Sequence, residues 1–155
     1  MTVTQRQRGD TVASDHRGLG VLDLGQCLRR LAASPIGRIA FRSHGETVIL
    51  PVNHVLDDTV IAFRTRWDST LAAAVNDESI AFEVDHYDPS AHTGWSVLVK
   101  GIASTVYDDA ACERLEKLLG VPWAGPEDEI FWTLIRPEEI SGRELSASRG
   151  ECGCC

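Results

Sequence analysis

The chain has 155 residues, 43% of them hydrophobic and 25% charged, with a net charge of −8. That length supports one domain with one core, and the acidic balance leaves no basic surplus to neutralise nucleic-acid phosphates. No apolar run approaches the ~20 residues of a membrane helix, and the basic residues at positions 1–20 are followed by no apolar segment, so they do not read as a secretory leader. Residues 1–19 are instead expected to form a disordered polar arm, and the protein is expected in the cytoplasm. The first helix is expected over Leu22 to Ser34: Asp23 and Gln26 make a capping box, and Leu24, Cys27, Leu28 and Leu31 recur at helical spacing. Next come three strands in a meander, IGRIAF, TVILPVNHV and VIAFRT, joined by the turns SHGE and LDDT. Pro51 in the second strand marks a bulge or an unpaired position. A small-residue helix is expected from about Ser69 to Val75, then a fourth strand, SIAFEVDHY, and a long fifth, WSVLVKGIASTVY, bent or bulged at Gly101. Asp108 to Leu119 is the third helix, closed by Gly120. EIFWTLIRP is a sixth strand, with EISGREL a short final strand or its extension.

Six or seven strands in short meanders with three helices do not form a repeating βαβ pattern. They point to a mainly β fold, a closed or nearly closed antiparallel barrel with helices outside it. The domain is expected over residues 20–146, followed by a flexible Cys-rich tail at 147–155. Of five cysteines, Cys27 and Cys112 fall at apolar helical positions, while Cys152, Cys154 and Cys155 crowd into the tail, a spacing that is no disulfide framework. The five histidines show no metal-ligand spacing.

Two segments could carry chemistry. Arg64, Thr65, Ser69 and Thr70 gather a guanidinium and three hydroxyls where a strand hands over to a helix. That combination suits a phosphate, because a helix N-terminus adds free N–H groups and partial positive charge and arginine adds bidentate hydrogen bonds. The competing reading has Asp68 capping the helix and Arg64 and Arg66 solvated or salt-bridged. Trp95, in HTGWSVLVKG, either shields a flat ligand or covers the barrel end.

The order GRIAF, ILPVNHVLDDTVIAFRT, DSTLAAA, SIAFEVD, HTGWSVLVKGIA and RPEEISGREL resembles the pyridoxamine-5′-phosphate-oxidase-like flavin-binding family over about residues 20–145. The closest likeness is to its small bacterial branch, which includes nitroimidazole-resistance-type proteins. The resemblance implies a six-stranded split β-barrel of the FMN-binding type, a homodimer, and FMN in a cleft contacted by both chains. By position it implies that Phe63, Arg64 and Thr65 run along the flavin and its phosphate. Ser69 and Thr70 close on the phosphate. Pro51, Val52, Asn53 and His54 border the ring, Trp95 and Ser96 stand near the cleft, and Arg136 is carried over from the last strand. The chain departs from the family pattern at Thr70, where lysine is common, at His54, where tyrosine is common, and at Asp68, where glycine is common. Members of this fold also bind a deazaflavin. The arginine-rich substrate pattern of a true pyridoxamine-phosphate oxidase is missing, so the small-molecule substrate stays open. The resemblance thus implies a flavin-dependent oxidoreductase or a non-enzymatic flavin carrier. His54 is the candidate for proton transfer on pKa grounds, against a merely structural polar residue at a strand end.

Overall fold

The computed structural model describes residues 14, 15, 18–66, 71, 78–120 and 130–147. Among them, seven strands and two helices run in the order β1 (Gly20–Leu22), α1 (Leu24–Ala33), β2 (Ile36–Ser43), β3 (Glu46–Asp57), β4 (Val60–Arg66), β5 (Ser79–Asp88), β6 (Thr93–Thr105), α2 (Asp109–Leu119) and β7 (Ile130–Leu145). Every strand pairing is antiparallel. Six strands close a ring in the order β7-β4-β3-β2-β5-β6, because β6 pairs back onto β7. The expected six-stranded barrel is therefore present, with β1 added to the far end of β7 as a seventh strand. The helix expected at Ser69 to Val75 lies outside the described residues except for Leu71, which is buried in the core.

Local chemistry explains most of the boundaries. Asp23 accepts a hydrogen bond from the Gln26 backbone N–H at 2.8 Å, and the Gln26 side-chain oxygen accepts one from the Asp23 N–H at 2.8 Å. This reciprocal box starts α1 at Leu24. The first helix is thus shorter than expected, since Leu22 belongs to β1 and Ser34 caps the end. Leu24 is 56% exposed, whereas Cys27 and Leu31 are buried. At the first helical position Leu24 precedes the turn that meets the barrel. Asp108 caps α2 through the Ala111 N–H, and Gly120 ends it at a φ of 68°. The β2–β3 turn places His44 and Gly45 at φ of 50° and 84°, the left-handed geometry that two-residue hairpins need.

β6 and β7 shift register at Gly101: Lys100 faces Glu139, and Gly101 faces Pro137, so Glu138 is the extra residue of a bulge. A Cβ on Gly101 would lie 2.2 Å from the Arg136 carbonyl oxygen, so no larger residue fits there without a backbone shift. The sixth strand and its expected extension are one strand, since Pro137 falls at this bulge and does not break the chain's direction.

The barrel interior holds Ile39, Phe41, Ile61, Phe63, Phe82, Val84, Val97, Val99 and Ile135. Cys27 and Leu31 of α1 join this cluster, so the helix closes part of the barrel. On the outside, α2 sets Leu115 against Ala62 and Trp132, with half-buried Cys112 beside them. The expected disorder of residues 1–19 does not extend to its described end. Ser14 pairs with Gly20, and Asp15 accepts from Arg143 at 3.1 Å, tying that segment to β7. No helix among the described residues is long and apolar enough to cross a membrane.

Candidate functional site

β3 and β4 part company partway along their length. They pair from Asp57–Val60 to His54–Phe63 and no further. Beyond that rung β4 stays on β7 as far as Arg66, while residues 46–53 of β3 have, among the described residues, a strand neighbour only on the β2 side. This is the split in the barrel. Pro51 sits on the divergent part, in unbroken register with Arg38, so it marks an unpaired position and not a bulge. Its ring nitrogen carries no hydrogen, which is tolerated where that nitrogen faces an open edge. The next residues past the last rung, Asn53 and Arg64, flank the mouth of the opening.

Strand alternation sorts the predicted residues. Phe63 is fully buried, and Thr65 lies inside with its Oγ1 3.4 Å from that of Thr133. Their side chains therefore face the barrel interior. Val52 faces the core from the inner side, and Pro51 is exposed on the outer one. Arg64 points outward to α2. Its Nε donates to Glu116 Oε1 at 3.1 Å, and its Nη2 donates to Oε2 of the same carboxylate. Trp132 Nε1 donates to Glu116 Oε1 at 2.9 Å, and the Trp132 ring lies 5.5 Å from the guanidinium. The hydrogen bond from Arg64 is the main cause that holds the Glu116 carboxyl below its usual range, against a smaller opposing effect of burial. Ser69 and Thr70, the other half of the expected phosphate cradle, lie outside the described residues.

His54 is 6% exposed. Its Nε2 is 2.9 Å from the Leu31 carbonyl oxygen, which can only accept, so that nitrogen carries the proton. Nδ1 is buried without a partner, and the ring stands edge-on to Phe82 at 4.8 Å. Burial lowers its pKa, with the Leu31 bond opposing. The imidazole is enclosed and bridges α1 to the barrel, an arrangement that fits a structural polar residue at a strand end. Beside it a cleft of about 300 Å³ opens between the C-terminal ends of the two helices and β3, lined by Ser34, Pro35, Asn53, His54, Leu118 and Leu119 among others.

Trp95 and Ser96 lie on β6, with two strands between them and β3 in either direction round the ring. Within one chain they are opposite the split. Trp95 packs on the core under the Arg30 guanidinium, 4.6 Å from its ring centre, and Arg30 is itself paired with Glu144. Ser96 is exposed. Arg136 is exposed and donates to Ser104 Oγ at 2.8 Å. It stands four residues along β7 from Trp132, the partner of Arg64, or about 13 Å at strand spacing. Asn53 and His54 thus line one cleft, Arg64 follows the same last rung on β4 but faces α2, and Trp95, Ser96 and Arg136 lie apart from them. Glu116 and Trp132 escaped the sequence reading: nothing local marks a helix glutamate as the partner of an arginine 52 residues away.

A six-stranded ring opened on one side, with an asparagine and an arginine next to the last rung, defines a split-barrel domain. The chain belongs to the pyridoxamine 5′-phosphate oxidase family, whose model matches residues 23–144. It is 34% identical over 131 residues to Rv0080 of Mycobacterium tuberculosis, covering 81% of this chain and 85% of that protein. The fold superposes on the FAD binding protein of Mycobacterium smegmatis with a TM-score of 0.73 at 29% identity, over 81% of this chain and 98% of that one. It superposes on DIP1874 of Corynebacterium diphtheriae with a TM-score of 0.69 at 30% identity, over 82% and 98% of the two chains.

Proposed function

We propose that the protein is a cytoplasmic, homodimeric flavin-binding protein that holds FMN at the β3–β4 split and serves a flavin-dependent oxidoreductase reaction. The observation that carries the reading is the ladder's end at His54–Phe63, which leaves Asn53 and Arg64 on either side of an open strand edge. A flat ring with a polar rim suits such an edge, because unpaired backbone N–H and C=O groups can meet its heteroatoms. Asn53 adds an amide at the mouth, and Arg64 is the charge suited to a phosphate. The likeness to an FAD binding protein at 29% identity supports a flavin of some kind. The bound flavin would supply the electron and hydride chemistry. The chain's own residues would bind the ring edge, anchor the phosphate and exclude water with the apolar ends of the two helices.

The test is a spectrum and a titration. Purified protein, or protein given FMN, should absorb near ~450 nm and release the chromophore on denaturation. Arg64→Ala should weaken FMN far more than riboflavin, since only FMN carries the phosphate. A colourless protein that ignores added FMN would sink the reading, and one that takes a deazaflavin instead would move it to a deazaflavin-dependent reductase. Bound flavin that no reductant bleaches faster than free flavin would leave a carrier.

A further inference from the structure

We propose that Glu116 determines the specificity of the Arg64 anchor: its carboxylate occupies the guanidinium in place of a phosphate, and a phosphorylated flavin binds by displacing it. This rests on the flavin reading of the split. Nε and Nη2 of Arg64, the edge that matches two oxygens of one anion, are both given to Glu116. The anion site at the mouth is therefore filled by the protein itself.

Two features show which partner yields. The Arg64 side chain is 23% exposed, with the Trp132 ring against it, while that of Glu116 is 43% exposed on an outer helix. Glu116 can turn into water at small desolvation cost, whereas Arg64 cannot. The Trp132 indole N–H then acts as the latch, because it holds Glu116 Oε1 in the pairing position at 2.9 Å. Because the arginine keeps the carboxyl acidic, Glu116 stays charged near neutral pH and repels an incoming phosphate until it moves. A ligand without a phosphate meets no such competitor. Glu116 thus narrows the advantage of FMN over riboflavin.

The experiment measures dissociation constants for FMN and riboflavin by flavin fluorescence quenching, on the wild type, Glu116→Gln and Trp132→Phe. Glutamine keeps the shape and can still accept from Trp132, so the fold is retained, and far-UV circular dichroism checks this. Glu116→Gln should tighten FMN on the order of tenfold, the scale of one charge-assisted bond, and leave riboflavin unchanged. Trp132→Phe should move FMN the same way by less, because it loosens the latch and keeps the charge. Adding Arg64→Ala to Glu116→Gln should erase the gain. Equal changes for the two flavins, or weaker FMN binding in Glu116→Gln, would overturn the proposal while leaving flavin binding intact. A wild type and variants that take neither flavin would bring down the flavin reading and this inference with it.

Discussion

At the scale of single residues, His54 shows how a titratable group becomes structural. Its proton on Nε2 is spent on the Leu31 carbonyl, and Nδ1 has no donor facing it. Burial lowers the folded pKa below the ordinary 6.5 that the unfolded chain retains. The unfolded state therefore takes up a proton first as pH falls. His54 contributes stability that is fully present above about pH 6.5 and is lost as pH drops through its lower folded value. Urea melts should show this decline between about pH 7 and pH 5, and His54→Phe should flatten it while costing about 1 kcal/mol at pH 7.5 for the lost hydrogen bond. An unchanged slope in the variant would assign the pH dependence to other groups. What residue type could suggest in the sequence was the guanidinium of Arg64 and the amide of Asn53, which the structure places just past the last β3–β4 rung. Strand alternation adds what residue type did not show: Phe63 and Thr65 flank Arg64 on one strand and face inward while Arg64 faces out. Glu116 was illegible, because only the packing of α2 on β4 and β7 brings it to Arg64.

At the scale of elements, the punctuation was readable because it is local. The capping box at Asp23, the Asp108 cap, the Gly120 stop, the His44–Gly45 turn and the Gly101 bulge each depend on a few neighbouring residues. β1 was not readable. Its three residues carry no periodicity of their own and become a strand only by pairing with Gly142 to Glu144. Two substitutions test these devices. Asp23→Ala removes the side-chain acceptor of the Gln26 N–H, keeps the backbone N–H that donates to Gln26, and should lower stability by about 1 kcal/mol in a denaturant melt, with little effect on the barrel strands. Gly101→Ala should cost more, about 3 kcal/mol, since its methyl would press on the Arg136 carbonyl and force β6 away from β7. Hydrogen exchange would place the damage: faster exchange along β6 and β7 is expected, and a loss confined to α1 would contradict the bulge's role in closing the ring.

At the scale of the whole molecule, the ring separates what a flavin site would join. Asn53 and Arg64 stand at the split, while Trp95 and Ser96 lie on the opposite strand of the same barrel. A single chain offers a cleft of about 300 Å³ beside the split, the low end of what encloses a small ligand. A second copy could complete the site by placing its own β6 residues over the first copy's opening, and a two-fold axis would repeat the contact. The open strand exposes apolar side chains that would suit such a contact: Ile49 is 62% exposed and Pro51 is exposed beside it. Two chains of net charge −8 repel one another, so the pairing should rest on apolar contact and strengthen with salt. Sedimentation of the wild type should give a dimer whose dissociation falls as ionic strength rises. Ile49→Glu puts a charge into that contact and should yield a folded monomer with FMN affinity at least about tenfold weaker, the cost of losing one good set of contacts. Riboflavin should weaken with it, because the lost residues would face the ring and not the phosphate. A wild-type monomer that binds FMN fully would show that one barrel suffices and that Trp95 and Ser96 serve the core and surface alone.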